Sequence, residues 1–167
     1  MSPEAEKQII FKQIEDELTL KGFKINIQDQ TRPWGGFFVI NEDQAQQFAD
    51  TYFDGIPVDE LKISGKLSPK ILVVAPDKRL SWQYHHRRAE IWQVIRGNVG
   101  VVTSFSDEEG QLQILKPGDL IRLEQGQRHR LIGTGSWAVL AEIWQHTDQQ
   151  NPSDEDDIIR VQDDFGR

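Results

Sequence analysis

The part of the sequence richest in potential metal ligands lies between positions 83 and 90 and reads Gln-Tyr-His-His-Arg-Arg-Ala-Glu. On a β-strand alternate side chains share a face, so Gln83 and His85 point the same way while His86 points to the other side. Glu90 follows a short turn and can come back toward the first two. A further ligand must arrive from a separate strand, and His129 is the natural candidate.

One amide oxygen, two imidazoles and one carboxylate form a mixed oxygen and nitrogen set that suits one divalent ion, which could be Zn²⁺, Mn²⁺, Fe²⁺, Co²⁺ or Ni²⁺. The chain has no cysteine and four histidines, which excludes thiolate chemistry and disulfides. Spacing alone leaves another interpretation open, because a histidine in a strand is more often a hydrogen-bonded structural residue.

The charge pattern restricts the partners. A net charge of −8 argues against nucleic acid, since phosphate-backbone binding needs a basic surface. Seven acids and two arginines between Asp148 and Arg167 supply five of those net charges. The stretch 78–88 carries four cations and no acid, which suits a small phosphorylated ligand, although a solvated loop would show the same pattern.

The chain begins Met-Ser-Pro-Glu-Ala-Glu-Lys, without the basic start and apolar stretch of a secretory signal. Its longest aliphatic runs are too short to cross a bilayer. We therefore expect a cytoplasmic protein with no membrane partner.

Two helices are predicted in an N-terminal extension, residues 1–67. Ser2 and Pro3 start the first, over 3–20, and Gly22 ends it. The second begins after Asn41 and should end near residue 55, with an apolar face that packs on the body of the domain.

From position 68 the sequence pattern changes to short segments rich in β-branched residues and separated by turns. This pattern is typical of an antiparallel barrel. The predicted strands are 70–75, 80–85, 90–96, 98–105, 111–115, 119–123, 128–132 and 136–145. We expect these eight strands to form a jelly-roll barrel over 68–147. The acidic segment 148–167 contains apolar residues and should fold back onto the barrel.

The same residues carry a resemblance to the cupin superfamily. Its first motif is matched by Gln83 in the first histidine position, then His85, Glu90 and Gly97. The second motif is similar to the positions Gly118, Gly126 and His129. The resemblance implies an all-β cupin, a double-stranded β-helix or jelly-roll barrel, here with an N-terminal helical addition.

Three motifs resemble the type II mannose-6-phosphate isomerases in particular: Arg-Pro-Trp-Gly from Arg32, the run 80–92, and the ending 156–167. The resemblance covers 31–36 and about 68–167, and no stretch resembles the nucleotidyltransferase domain that often precedes this cupin, so we do not expect the bifunctional arrangement. It implies a sugar-phosphate site with Gln83, His85, Glu90 and His129 as ligands, normally to zinc. Three positions depart from the usual pattern: Ile91, Glu124 and Gly133.

Interconverting an aldose and a ketose phosphate passes through an enediolate, whose negative charge a metal and a nearby cation stabilise. By resemblance Arg160 is the expected catalytic cation, with a salt bridge to neighbouring aspartates as the alternative. Glu124 is the expected base and Glu142 its alternative. Lys70, Arg87 and Arg88 are expected to bind the phosphate, with only one of the two adjacent arginines facing the pocket.

The remaining candidates are expected to be structural. His146 is expected on the surface, and Trp34 is expected to anchor the entering chain. The predicted activity is the isomerisation of mannose 6-phosphate, a small phosphorylated sugar. A non-catalytic sugar-binding cupin, an epimerase, a dioxygenase and a metal-free barrel are alternatives, and a homodimer is left open.

Overall fold

A computed structural model describes all 167 residues of the protein. Eleven strands and three α-helices follow one another along the chain. The helices are α1 (Pro3–Leu20), α2 (Ala45–Tyr52) and α3 (Val58–Leu61). The strands are β1 (Ile25–Arg32), β2 (Gly35–Ile40), β3 (Lys70–Val74), β4 (Trp82–Tyr84), β5 (Arg88–Arg96), β6 (Val99–Ser104), β7 (Leu112–Leu115), β8 (Leu120–Leu123), β9 (Arg128–Gly133), β10 (Ala138–His146) and β11 (Ile159–Gln162).

The strands form two antiparallel sheets that face each other across an apolar core. One sheet has six strands in the order β1-β2-β3-β10-β5-β8, and the other has five in the order β11-β4-β9-β6-β7. Every predicted barrel strand is present within a few residues of its expected bounds, because turn residues separate the apolar segments so regularly. The expected all-β jelly-roll with an N-terminal helical addition is confirmed.

The N-terminal extension contains more than the two expected helices. Strands β1 and β2 form a hairpin, and β2 pairs with β3 to enlarge the six-stranded sheet. Strand β1 was not predicted, because an edge strand with mostly polar residues lacks the alternation that marks a half-buried strand. Gly36 permits the close approach of the two strands, since a Cβ there would lie 2.0 Å from the Asp29 carbonyl oxygen.

Both predicted helices cover the outer face of the six-stranded sheet. Ser2 caps α1 by accepting a hydrogen bond from the Ala5 amide at 3.1 Å. Phe11 of α1 and Phe48 of α2 are fully buried in an apolar cluster that also contains Ile91 of β5. A second cluster fills the barrel between the two sheets. The helices thus stabilise the sheet from outside and leave its inner face free to form a site.

The acidic C-terminal segment folds back as expected. Its strand β11 pairs antiparallel with β4 and becomes the edge of the five-stranded sheet. This pairing places the last residues of the chain beside the strand that carries Gln83. None of the helices combines the length and the apolar character needed to cross a bilayer.

Candidate metal centre and active site

Three strands of the smaller sheet place functional side chains in one row. Gln83 of β4 lies opposite His129 of β9 on one side and opposite Arg160 of β11 on the other. Directly opposed residues in an antiparallel pair project from the same face of the sheet. The row therefore faces the interior of the barrel, where β5 of the larger sheet brings in Glu90.

The imidazoles of His85 and His129 and the carboxylate of Glu90 converge on one point. The two Nε2 atoms are 3.3 Å apart. Glu90 Oε1 lies 3.1 Å from Nε2 of His129 and 3.7 Å from Nε2 of His85. Ligand atoms about 2.1 Å from one ion are separated by roughly 3.0–3.4 Å at octahedral or tetrahedral angles. The distances of 3.1 and 3.3 Å fall in this range and the third, 3.7 Å, is slightly longer, so the three atoms can share a single transition-metal ion after a small adjustment.

The tautomers of the two histidines also fit a cation. His85 Nδ1 lies 2.7 Å from the carbonyl oxygen of Asp157, and His129 Nδ1 lies 3.1 Å from that of Gln127. A carbonyl oxygen can only accept, so each Nδ1 carries the proton and each Nε2 presents a lone pair. Glu90 Oε1 is buried and has no hydrogen-bond partner. Three buried electron-pair donors that face one another are suited to hold a metal ion.

Gln83 completes the predicted set from the edge of this group. Its Nε2 lies 3.5 Å from His129 Nε2, while its Oε1 accepts a hydrogen bond from Ser81 Oγ at 2.7 Å. A metal would be bound by the amide oxygen, and rotating the amide by 180° brings that oxygen to the histidines. The Ser81 hydroxyl can accept from the amide nitrogen in that orientation, so Gln83 fits the role of fourth ligand.

A buried arginine holds the Glu90 carboxylate in its charged form. Arg88 Nε donates to Glu90 Oε2 at 3.0 Å, and both side chains are buried. Burial alone would raise the pKa of Glu90, but the charge of Arg88 lowers it well below its ordinary value. Burial likewise lowers the pKa of His85 to about 3, which keeps that ring neutral and able to bind a metal.

The C-terminal segment fixes the turn between β4 and β5 through Asp157. Its carboxylate accepts hydrogen bonds from the backbone amides of His86 and Arg87, at 2.9 and 3.0 Å, and from Ser153 Oγ at 2.6 Å. Its carbonyl oxygen accepts from His85 Nδ1. Asp157 therefore sets both the path of the turn and the orientation of a ligand ring.

A second buried carboxyl of the larger sheet lies near the predicted metal ligands. These ligands, Gln83, His85, Glu90 and His129, are called the metal group below. Glu142 of β10 accepts hydrogen bonds from Trp92 Nε1 at 2.8 Å and from Trp144 Nε1 at 3.0 Å. Burial raises the pKa of Glu142 to about 8, and the charge of Glu90 adds to the shift while Lys70 and Arg88 oppose it. A carboxyl that titrates near neutral pH can both take up and release a proton.

Of the residues described above, Gln83, Arg88, Glu90 and Glu142 line one cavity between the sheets. Aromatic and aliphatic side chains form its walls, and charged groups stand at both ends. The lining residues are Arg32, Trp34, Phe37, Lys70, Leu72, Leu80, Gln83, Arg88, Glu90, Trp92, Glu142, Trp144, Glu155, Ile158, Arg160 and Arg167. Its mixed apolar and charged lining is typical of a small-molecule site.

The three cations expected to bind phosphate are placed differently from one another. Lys70 lines the cavity, where it pairs with Glu155 and lies 3.5 Å from the centre of the Trp144 ring. Arg88 also lines it but donates to Glu90, as described above. Arg87 is outside the cavity and pairs with Asp154 at 3.4 Å. Only one of the two adjacent arginines faces the cavity, and that one is engaged with a metal ligand.

Two expectations are wrong in their placement. Glu124, expected as the base, lies on an exposed turn and does not line the cavity, because it follows the end of β8 where the chain leaves the sheet. His146, expected on the surface, is 1% exposed because β10 extends one residue further than predicted. Its ring accepts from the Ser153 amide at 2.9 Å and lies 2.8 Å from Ser68 Oγ.

Several cavity residues were absent from the predicted site. Arg32 and Arg167 reach the cavity from segments far apart in sequence, and Trp34 lines it as well as anchoring its strand. The signal that could have found them was present: both arginines belong to motifs that carried the resemblance. Nothing local distinguishes an arginine at a cavity from one in solvent, so the sequence did not assign them a role.

A jelly-roll barrel with a His-Glu-His group on its inner face defines the protein as a cupin with a site able to hold a metal ion. The sequence profile described as the mannose-6-phosphate isomerase C-terminal domain matches residues 41–163. The chain belongs to that family.

Individual relatives agree with this assignment. Mannose-1-phosphate guanylyltransferase ManC of Salmonella typhimurium is 29% identical over 110 residues, which are 65% of this chain and 21% of that protein. Xanthan biosynthesis protein XanB of Xanthomonas campestris pv. campestris is 26% identical over 155 residues, which are 91% of this chain and 31% of that protein. The chain thus spans less than a third of the length of either relative.

One solved structure shares the fold across most of the chain. The capsular polysaccharide assembling protein CapF from Staphylococcus aureus superposes with a TM-score of 0.52 at 13% identity. The superposition covers 84% of this chain and 34% of that one. At this level of identity the likeness concerns the fold alone.

Proposed function

We propose that the protein is a metal-dependent sugar-phosphate isomerase that interconverts mannose 6-phosphate and fructose 6-phosphate through an enediolate. The observation that carries the proposal is the position of Glu142, a buried carboxyl that lines the same cavity as Gln83 and as Glu90 of the His-Glu-His group. Family membership supports the choice of sugar phosphate.

The four predicted ligands would supply one chemical element of the reaction. A divalent ion held by Gln83, His85, Glu90 and His129 would polarise the substrate carbonyl and stabilise charge on the adjacent oxygens. Arg88 keeps Glu90 charged for this purpose, and the carbonyl oxygen of Asp157 keeps Nε2 of His85 free of a proton.

Glu142 is the residue best placed to move the proton. In the aldose-to-ketose direction its carboxylate takes the proton from C2 of the sugar and returns it to C1. The hydroxyl proton of the oxygen on C2 passes to the oxygen on C1 in the same conversion. Each carboxylate oxygen accepts one indole N–H and keeps a second lone pair for this transfer. The two tryptophans therefore fix the carboxyl in place and exclude water from the transfer.

The test is an isomerase assay coupled to fructose 6-phosphate, on the full chain loaded in turn with Zn²⁺, Mn²⁺ and Co²⁺. Glu142→Gln keeps the shape of the side chain and an acceptor for one of the two indole N–H groups, but it cannot take a proton. We expect kcat to fall at least about 100-fold with metal content unchanged. Glu124→Gln is the matched control, since that carboxyl is exposed outside the cavity, and it should retain the activity of the unmodified protein.

The outcomes separate the parts of the proposal. Absence of turnover of every sugar phosphate by protein that holds a metal ion would overturn the isomerase and favour a sugar-binding cupin. Turnover that survives in Glu142→Gln would keep the isomerase and reject Glu142 as the proton carrier.

A further inference from the structure

Two sequence motifs at opposite ends of the chain each bring one arginine to the same cavity. Arg32 ends β1 and begins the Arg-Pro-Trp-Gly motif, and Arg167 is the last residue of the ending Asp-Asp-Phe-Gly-Arg. Arg160 of β11 joins them, and all three line the cavity that contains the metal group. The proposed mechanism uses none of these three guanidinium groups.

Arg160 has a buried hydrogen-bond donor with no acceptor. Its Nε is inaccessible to solvent and unpartnered. The salt bridge to a neighbouring aspartate that the sequence allowed is not formed, because Asp163 pairs with Arg167 and Asp164 pairs with Arg79. A buried N–H group without an acceptor is costly, and an anion bound beside it would offset that cost.

Arg32 and Arg167 each donate a hydrogen bond to a neighbouring aspartate. Arg32 Nε lies 3.2 Å from Asp29 Oδ2, and both terminal nitrogens of this guanidinium remain without a protein partner. Arg167 donates through Nε at 3.0 Å and through one terminal nitrogen at 3.3 Å to Asp163, which leaves its other terminal nitrogen free. These contacts orient both guanidinium groups without using all of their donors.

The three groups act on one another electrostatically. Burial lowers the pKa of Arg160, and the positive charges of Arg167 and Arg32 lower it further, while Asp163 and Glu155 oppose the shift. An arginine stays charged under such a shift. The three arginines thus bring several free N–H donors to the same cavity.

The other cations of the cavity are already engaged. Arg88 donates to Glu90, Ser153 and the Asp154 carbonyl. Lys70 is paired with Glu155. The free donors at the cavity therefore belong to the three arginines.

We propose that Arg32, Arg160 and Arg167 form the subsite for the phosphate group of the substrate. A phosphomonoester presents three oxygens and close to two negative charges, which match several guanidinium donors in fork geometry. Because Arg160 lies opposite Gln83, the sugar would extend from the phosphate along β11 and β4 to the metal group. The identity of the sugar rests on the proposed function, whereas the preference for a phosphomonoester rests on the arginines.

The test is calorimetric binding to the full, metal-loaded chain, with mannose 6-phosphate, mannose and inorganic phosphate as probes. Arg32→Ala, Arg160→Ala and Arg167→Ala should each weaken mannose 6-phosphate binding by about 10-fold to 100-fold. The affinity for mannose should not change, and inorganic phosphate should lose its ability to compete. Arg122→Ala, at an exposed position of β8, is the matched control and should bind as the unmodified chain does.

Arg167 gives the cleanest variant, since its side chain donates only to Asp163 of the same segment. Arg167→Lys should restore part of the affinity. The subsite is rejected if Arg32→Ala and Arg167→Ala bind mannose 6-phosphate normally, or if mannose and its phosphate lose affinity equally. Arginine-dependent phosphate binding without turnover would reject the isomerase but keep the subsite; turnover with unchanged affinities would do the reverse.

Discussion

Arg160 lies directly opposite Gln83 in the pairing of β11 with β4, and Gln83 in turn lies opposite His129 of β9. The C-terminal segment is therefore part of the site rather than an appendage to the barrel. Opposed residues share a face of the sheet, so this pairing places the guanidinium of Arg160, which belongs to the acidic C-terminal segment, beside the metal group.

Removal of a ligand histidine should abolish metal binding, whereas removal of its exposed neighbour in the motif should not. His129→Ala deletes one of three convergent donors, so we expect at least a 100-fold loss of affinity for Zn²⁺, since even the groups around a ligand contribute 10-fold to 100-fold. His86→Ala is the matched control, because that histidine is exposed on the other side of the motif. Elemental analysis after dialysis measures both. Equal metal content in His129→Ala and the unmodified chain would contradict the assigned site.

Loss of the Asp157 carboxylate should destabilise the fold and the site together. Asp157→Ala removes three hydrogen bonds to a charged acceptor and leaves two backbone amides without partners, so we expect a loss of about 3 kcal/mol in the free energy of unfolding. Asp156→Ala alters an exposed neighbour and should change that energy by less than about 0.5 kcal/mol. Urea denaturation distinguishes the two variants. Similar midpoints for both would show that the hydrogen bonds to the Asp157 carboxylate contribute little to stability.

The buried ring of His146 should make stability depend on pH below neutrality. Burial lowers its pKa from 6.5 to about 4, an effect to which nearby charges add: Lys66, Arg88 and Lys70, with Asp157 opposing. The unfolded chain then binds the proton more readily, so the stabilisation is complete above pH 6.5 and is lost as the pH falls toward 4.

Between pH 7 and pH 5 the unmodified chain should lose about 2 kcal/mol more stability than His146→Gln, whose amide does not titrate in this range. Free energies of unfolding at several pH values provide the measurement. Parallel pH profiles for the two proteins would show that His146 does not carry this dependence.

A methyl group at Gly36 should break the junction of the N-terminal hairpin. The added carbon would lie 2.0 Å from the Asp29 carbonyl oxygen and 2.7 Å from Phe11 Cζ, so β1, β2 and α1 would have to separate. We expect Gly36→Ala to cost about 3 kcal/mol or more. Gly135→Ala is the control, since its Cβ would meet nothing within 4 Å. Thermal melting compares them, and equal midpoints would mean that the hairpin is not tightly packed.

Local patterns were sufficient for most of the barrel. The eight segments from β3 to β10 follow from apolar stretches and turn residues, which act over a few neighbours and can be read without the fold. The predicted ligand set Gln83, His85, Glu90 and His129 rested on strand alternation together with the resemblance to the cupin motifs, because spacing alone left a structural role for the histidines open. Strand β1 was not predicted, because its pairing with β2 depends on the close approach of the two strands at Gly36 and not on a pattern in its own sequence.

The sequence by itself determined the kind of chemistry available: no thiolate, few histidines and one run with alternating ligands. Tertiary structure decided which charged groups serve the site. It placed Glu142 rather than Glu124 in the cavity, engaged Arg88 with Glu90, buried His146, and brought Arg32 and Arg167 together from opposite ends of the chain. These outcomes depend on burial and on pairing across strands distant in sequence, and neither is encoded in the spacing of neighbouring residues.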